Sequence, residues 1–333
     1  MRAASQRKSR GNLPKAEAQA LAGYPGAVTT SVRLGVGVPQ AFLHSTIDPA
    51  GIKTFLQRAE ALGFDGLWTQ ENPLGAMPML DSLHLLTFAA AHTSRVRLGC
   101  AVHLIAVRSP VHLAKSLGTV DHLSGGRLIV GVGLGTPRID AAVGIDSATR
   151  VARFTEGIRL MKALWTEPRI SFEGRFFRLK DAAMEPKPVQ RPHPPVWFGA
   201  SHPNALRRAV RYGDGFIGAG STSSSDFAEQ VRTIRACLED AGRDPATFPI
   251  SKRVYIAVDD DKERAGNKLA EWFTVNYGRS HHEQVAVWGS ADECADQLRE
   301  VTAAGAEMLV LTALFDYAEQ LERIAAEVAP RLH

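Results

Sequence analysis

Cysteine is scarce in this chain: Cys100, Cys237 and Cys294 are the only three in 333 residues. They are odd in number and far apart. That excludes a disulfide framework and paired zinc-ligand spacing, and it suits a reducing compartment. No apolar run approaches the eighteen or so residues of a membrane span. Internal repeats are absent. Charge of one sign is also missing from the body. Residues 1–31 hold Arg2, Arg7, Lys8, Arg10 and Lys15 against Glu17 alone, leaving 34 basic and 34 acidic residues elsewhere. The net charge of +4 and the pI near 9.0 therefore belong to this arm. A basic nucleic-acid face on the body is excluded, and no nucleic-acid partner is expected. The arm lacks the apolar core and cleavage site of a secretory signal. Residues 1–31 are expected to be a flexible basic extension, residues 32–333 the folded body, and the protein cytoplasmic.

At 45% hydrophobic and 22% charged, the chain has enough apolar residues for a sizeable core. Short β-rich runs alternate with longer helical patterns. Eight strands are expected: Arg33–Val38, Gly66–Thr69, Val96–Val102, Leu128–Val132, Val196–Phe198, Gly215–Ile217, Arg253–Val258 and Met308–Thr312. Helices are expected over 48–62, 110–123, 154–165, 203–212, 225–241, 291–304 and 317–328. Asp48 caps the first, Ser290 with Glu293 forms a capping box before the sixth, and Phe154, Ile158, Met161 and Trp165 make one helical stripe. Strands that alternate with helices pair in parallel, and eight of them in about 300 residues close into one (β/α)8 TIM barrel. The competing open sheet needs a glycine-rich phosphate loop after its first strand. Here Gly35 and Gly37 lie inside that strand and Pro39 follows, so the dinucleotide fingerprint is missing. Residues 166–195 break the alternation. They read as a hairpin turning at Glu173-Gly174, then a proline-stiffened return, inserted between the fourth and fifth strands.

In such a barrel the loops after the strands build the site. After strand two come Gln70, Glu71 and Asn72. After strand three comes His103, and after strand four Gly133 to Thr136. After strand five come Gly199, Ala200, Ser201 and His202, followed by a helix. This last segment pairs small residues with a helix N-terminus, which suits a phosphate; a plain capped helix explains it equally. Gly131, Gly133 and Gly135 alternate, leaving one sheet face bare for a flat ring or for packing. His44, His103 and His202 share no metal-ligand spacing, so no metal site is expected. No Gly-x-Ser-x-Gly elbow and no cysteine–histidine pair is evident.

These segments resemble the luciferase-like monooxygenase superfamily of flavin- and deazaflavin-dependent oxidoreductases. The resemblance rests on Arg97 to Val102, Arg108-Ser-Pro110, Asp121 to Leu128 and Gly131-Val-Gly133. Gly174 to Phe177, Pro186-Lys-Pro188, Pro194 to Trp197 and Gly213-Asp-Gly215 extend it. It implies a non-proline cis bond between Ala101 and Val102 that backs the cofactor ring. By the same resemblance Glu71, His103, Gly133 and Thr136 lie near that ring, and Gly199, Ala200, Ser201 and His202 take the cofactor phosphate. A homodimer is implied as well.

Two departures narrow the activity. Asn72 stands where deazaflavin-dependent sugar-phosphate dehydrogenases carry a catalytic histidine, and Thr136 replaces their second proton-transfer group, a glutamate. Glucose-6-phosphate dehydrogenation is therefore not expected. The leading expectation is hydride transfer between coenzyme F420 and a small organic substrate, with Glu71, Asn72 and His44 as candidate catalytic residues. Leu104, Val107 and Ile139 suggest that the substrate is hydrophobic. The alternatives are an FMN-dependent monooxygenase fed by a partner reductase, and a non-catalytic flavin-binding protein.

Overall fold

A computed structural model describes residues 32–332; the basic arm of residues 1–31 lies outside the described residues. Twelve strands appear among those described. They are β1 (Arg33–Gly37), β2 (Gly66–Thr69), β3 (Arg97–Cys100), β4 (His103–Leu104), β5 (Leu128–Gly133), β6 (Ile170–Glu173), β7 (Arg178–Ala182), β8 (Val196–Phe198), β9 (Gly215–Gly218), β10 (Ile250–Val258), β11 (Ala286–Gly289) and β12 (Met308–Thr312). Eight of them pair in parallel in the order β1-β2-β3-β5-β8-β9-β10-β12, and β12 returns to β1. The sheet is a closed (β/α)8 barrel, as the strand–helix alternation demands.

The barrel interior is a plug, not a channel. Trp68 and Trp197 pack in a tilted pair with ring centroids 5.7 Å apart. Ile129, Ile217, Met308 and Val310 complete the cluster, and Ala101 and Val102 pack against it. Glycines on neighbouring strands make room for these indoles. A Cβ at Gly99 would stand 2.4 Å from the Trp68 ring, and one at Gly215 would stand 2.7 Å from the Trp197 ring. The shell between barrel and helices is a second, larger core, in which the stripe Phe154, Ile158, Met161 and Trp165 is buried.

Several elements differ from expectation. The third strand is not continuous: β3 stops at Cys100, a cis peptide joins Ala101 to Val102, and β4 resumes at His103 to pair with β5. The seventh barrel strand, β10, starts at Ile250 and all nine of its residues are buried. Its far half extends beyond the barrel and takes β11 as an extra parallel neighbour. Helices over Ser82–His92 and Lys262–Tyr277 are additional to those expected. The insertion between β5 and β8 is a hairpin of β6 and β7, with Gly174–Phe177 as its loop instead of a tight turn at Glu173-Gly174. Glu156, from the preceding helix, accepts from the amides of Arg175, Phe176 and Phe177 at 3.0, 2.9 and 2.8 Å. That contact anchors the hairpin beside the barrel.

Candidate active site

The carboxyl ends of the barrel strands open on a cleft of about 1080 Å³. Its inner wall is Ala101 and Val102. Gly133 ends β5 and Leu134 and Gly135 follow it, Gly199 to Leu206 follow β8, and Ala219, Ser221 and Thr222 come after β9. Arg253 of β10 lines it from across the barrel.

The wall is explained by volume. A Cβ at Gly131 would come within 1.9 Å of the Cys100 carbonyl oxygen. One at Gly133 would meet Val102 Cγ2 at 2.4 Å, and one at Gly199 would meet Cγ1 at 2.8 Å. The bare sheet face is thus occupied by the turn between β3 and β4, and Val102 is lifted onto the cleft wall. The tryptophan plug supports the same turn from below. The result is a firm apolar surface of small side chains, which fits one face of a planar ring.

On the outer side, His202 caps the helix Pro203–Tyr212, its Nδ1 accepting from the Asn204 amide at 3.2 Å. His202 also lines the cleft, beside Ala200 and Ser201. Arg150 and Arg208 add positive charge to the lining. Arg150 donates to the carbonyls of Leu134 and Gly135 at 3.0 and 2.8 Å and pairs with buried Asp140, fixing the loop after β5. Lys252 Nζ donates to the carbonyls of Ala219 and Thr222, fixing the loop after β9. Burial above all, together with neighbouring Arg253, lowers the Lys252 pKa to about 7.

Of the residues expected near cofactor or substrate, Ala101, Val102, Gly133, Gly199, Ala200, Ser201 and His202 line this cleft. The expected catalytic set does not assemble there. Glu71 lies behind the wall, its side chain 3% exposed. It accepts from Arg108 Nε at 2.5 Å and from the Leu104 amide at 2.9 Å, and His103 Nδ1 stands 3.4 Å away. Burial opposes its charge, but His103, Arg108 and that amide outweigh burial and lower its pKa. His103 is fully buried. Burial opposes its charge too, while Cys100 and Glu71 favour it and raise its pKa to about 9. Asn72 and Thr136 lie outside the cleft lining, and Thr136 precedes a short helix over Pro137–Ala142 without capping it through its side chain. His44 pairs with Glu271 at 2.9 Å on the rim of a separate cavity of about 420 Å³. Among the described residues no three His, Cys, Asp or Glu side chains group to hold a metal ion.

The hydrophobic-substrate expectation loses its residues. Leu104 and Ile139 are buried in packing, and neither they nor Val107 line the cleft. The lining is markedly charged. Sequence reading missed Arg253, whose burial appears only in the closed barrel.

A family model described as luciferase-like monooxygenase matches residues 39–284. The chain belongs to the luciferase-like monooxygenase family. It is an oxidoreductase of that family. An F420-dependent glucose-6-phosphate dehydrogenase of Intrasporangium calvum is 30% identical over 314 residues, 83% of this chain and 92% of the relative. One from Kineococcus radiotolerans is 30% identical over 260 residues, 74% and 76% of the two chains. The fold matches an F420-dependent secondary alcohol dehydrogenase solved with an F420–acetone adduct, at TM-score 0.78 and 18% identity, covering 91% of this chain and 99% of the other. A monooxygenase from Streptomyces bottropensis matches at TM-score 0.77 and 24% identity, covering 90% of this family member and 100% of the monooxygenase. Among the described residues no helix is long and apolar enough to cross a membrane.

Proposed function

We propose that this chain transfers hydride between coenzyme F420 and a small organic substrate other than glucose 6-phosphate. One observation carries the reading: the Ala101–Val102 wall and the Gly199–His202 segment line a single cavity. Relatives named for F420 dependence, 30% identical over most of the chain, support the choice of cofactor. Coenzyme F420, when bound, supplies the carbon that gives or takes the hydride. Ala101, Val102, Gly133 and Gly199 present the surface against which its planar ring fits. Ala200, Ser201 and His202 hold the phosphate at the helix N-terminus, where backbone amides and the helix dipole favour an anion. Glu71 and His103 act from behind as positioning residues, since Glu71 holds the Leu104 amide just beyond the wall. Asn72 has no proton to give near neutral pH, and Glu71 is kept ionised by His103 and Arg108. His202 is committed to the helix cap and the phosphate end, so solvent in the cleft moves the proton. The homodimer is part of this reading.

The test is a fluorescence titration of the purified protein with F420 and with FMN, followed by an acceptor screen with reduced F420. Micromolar or tighter F420 binding and oxidation of reduced F420 by an added acceptor are expected. Selective FMN binding with oxygen uptake would establish the monooxygenase alternative, and F420 binding without turnover on any acceptor would establish the non-catalytic one.

A further inference from the structure

Lys252 of β10 is 2% exposed, and its register partners are Gly218 of β9 and Leu309 of β12. Its stem lies over Gly218, where a Cβ would stand 2.9 Å from Lys252 Cδ and 2.7 Å from the Phe227 ring. Nζ donates to the carbonyls of Ala219 and Thr222, the second at 2.9 Å. The Thr222 amide also donates to the Ala219 carbonyl, at 3.1 Å, so residues 219–222 form one tight turn. Lys252 clips that turn at both ends. The turn lines the cleft through Ala219, Ser221 and Thr222. It leads straight into Ser223, whose hydroxyl caps the helix Ser224–Asp240 by accepting from the Asp226 amide at 3.1 Å. Two carbonyls are not a counter-ion. The lysines paired with a carboxylate among the described residues are Lys162, Lys187, Lys262 and Lys268, and Lys252 is not one of them. The charged groups that act on it are Arg253, next in the strand, which opposes its charge, and Asp226 on the helix, which favours it. Nζ also stands 5.9 Å from the centroid of the Phe227 ring. Taking an ammonium out of water on these terms is costly, and a methionine would fill the stem's space without that cost. What the lysine adds is a pair of charge-assisted bonds to the turn. Burial above all, and Arg253 after it, bring its pKa down to about 7. A neutral amine is a weaker donor to the same carbonyls.

We propose that Lys252 is a positioning residue for the cofactor: its ammonium holds the turn of residues 219–222 in the shape that binds, and loss of that proton loosens the turn and weakens binding. The effect on binding presupposes that the cleft is the cofactor site. The direction follows from the charge. The clip is intact below about pH 7 and is lost as pH rises through that value. An anionic cofactor in the cleft favours the ammonium, so binding takes up protons above about pH 7.

The test compares the full-length wild type with Lys252→Met and Asp226→Asn. F420 dissociation constants are read by fluorescence at pH 6, 7, 8 and 9. The cofactor's own ionisations act on all three proteins alike, so ratios between proteins remove them. Two charge-assisted bonds predict affinity about fivefold or more weaker in Lys252→Met than in wild type at pH 6, with the ratio closing toward one at pH 9. Asp226→Asn removes the carboxylate that favours the ammonium, so the midpoint of its pH profile moves down relative to wild type. That midpoint is the readout, and not the overall level, because Asp226 itself lines the cleft. A Lys252→Met deficit that is the same at every pH would mark a purely structural lysine and overturn the proposal. So would affinities equal within about twofold at pH 6. If Lys252→Met does not fold, an unmoved midpoint in Asp226→Asn overturns it. Hydrogen exchange of the cofactor-free protein, corrected for the intrinsic rate, separates the tether from the cofactor reading. Protection of residues 218–223 that fades with rising pH in wild type, and is low throughout in Lys252→Met, supports the tether. Equal protection in the two proteins overturns it. Should wild type bind neither F420 nor FMN at pH 6 while that protection is seen, the cofactor reading falls and the tether stands.

Discussion

Gly131 faces the carbonyl of Cys100, and nothing larger fits between β5 and the turn after β3. Gly131→Ala would drive a methyl to 1.9 Å from that oxygen, and backbone cannot move aside as a side-chain tip can. Overpacking of this kind costs roughly 1–3 kcal/mol or more. A lowered urea midpoint and weakened F420 binding are expected together, because the displaced atoms belong to the ring wall. Gly118, inside the helix Pro110–Ser124, provides the contrast. A Cβ there meets only Pro188 Cγ at 3.8 Å, an ordinary contact. Gly118→Ala should stabilise by about 0.5–1 kcal/mol through backbone entropy and helix propensity, with cofactor affinity unchanged. His103 adds a pH signature. Its folded pKa is raised, from an ordinary 6.5 to about 9, so its ionic contribution is complete below pH 6.5 and lost as pH rises through 9. Denaturation of wild type and His103→Gln at pH 6, 7.5 and 9 should show the wild-type advantage shrinking with pH. A pH-independent gap would contradict the charged Glu71–His103 pair.

At the scale of elements, the helix Ala291–Ala303 and the helix Pro203–Tyr212 start with different kinds of cap. Ser290 forms a capping box with Glu293, far from the cleft. His202 caps its helix through a ring nitrogen, and the residue also lines the cleft. Either cap replaced by alanine should cost roughly 0.5–2 kcal/mol. Only His202→Ala should also weaken F420 binding, and a titration of both variants separates the roles. The elements legible in the sequence are those with a strong local pattern: branched strand runs, capped amphipathic helices and the Pro-rich return. The helix Ser82–His92 is apolar on nearly every side, so no 3.6-residue stripe marks it. β11 has only four residues, and nothing local distinguishes them from a loop. The helix Lys262–Tyr277 does carry a stripe, Ala265, Leu269, Trp272 and Phe273, all buried; its charged first turn masks it. The lining of the cleft was legible at Gly199–His202, from small residues before a helix, and at Ala101–Val102, through the family resemblance. The site was not legible at Glu71, because an acidic residue in a loop does not announce the buried cation that ionises it. Arg253 was hidden for a related reason: its partners come from the segments after β2 and β3 and from its own strand, and only the closed barrel brings Gln70 and Ala101 to it.

For the molecule as a whole, closure of the sheet gathers loops that are distant in sequence into one charged cleft, on a platform held from below by the Trp68–Trp197 plug. The net charge outside residues 1–31 is balanced. Weak salt dependence of F420 binding is therefore expected beyond the local effect of Arg150, Arg208 and Arg253. Sedimentation at micromolar concentration should show a homodimer, and a monomer across that range would remove the dimer from the proposal. The central claim is that one cleft takes F420, with its ring on the Ala101–Val102 wall and its phosphate on Gly199–His202. A crystal structure of the protein soaked with F420 tests this most directly. Ring density is expected against Val102, and phosphate density within hydrogen-bonding distance of the Ser201 or His202 amide. Density for F420 in the cavity beside His44 and Glu271, or none anywhere at saturating F420, would contradict it.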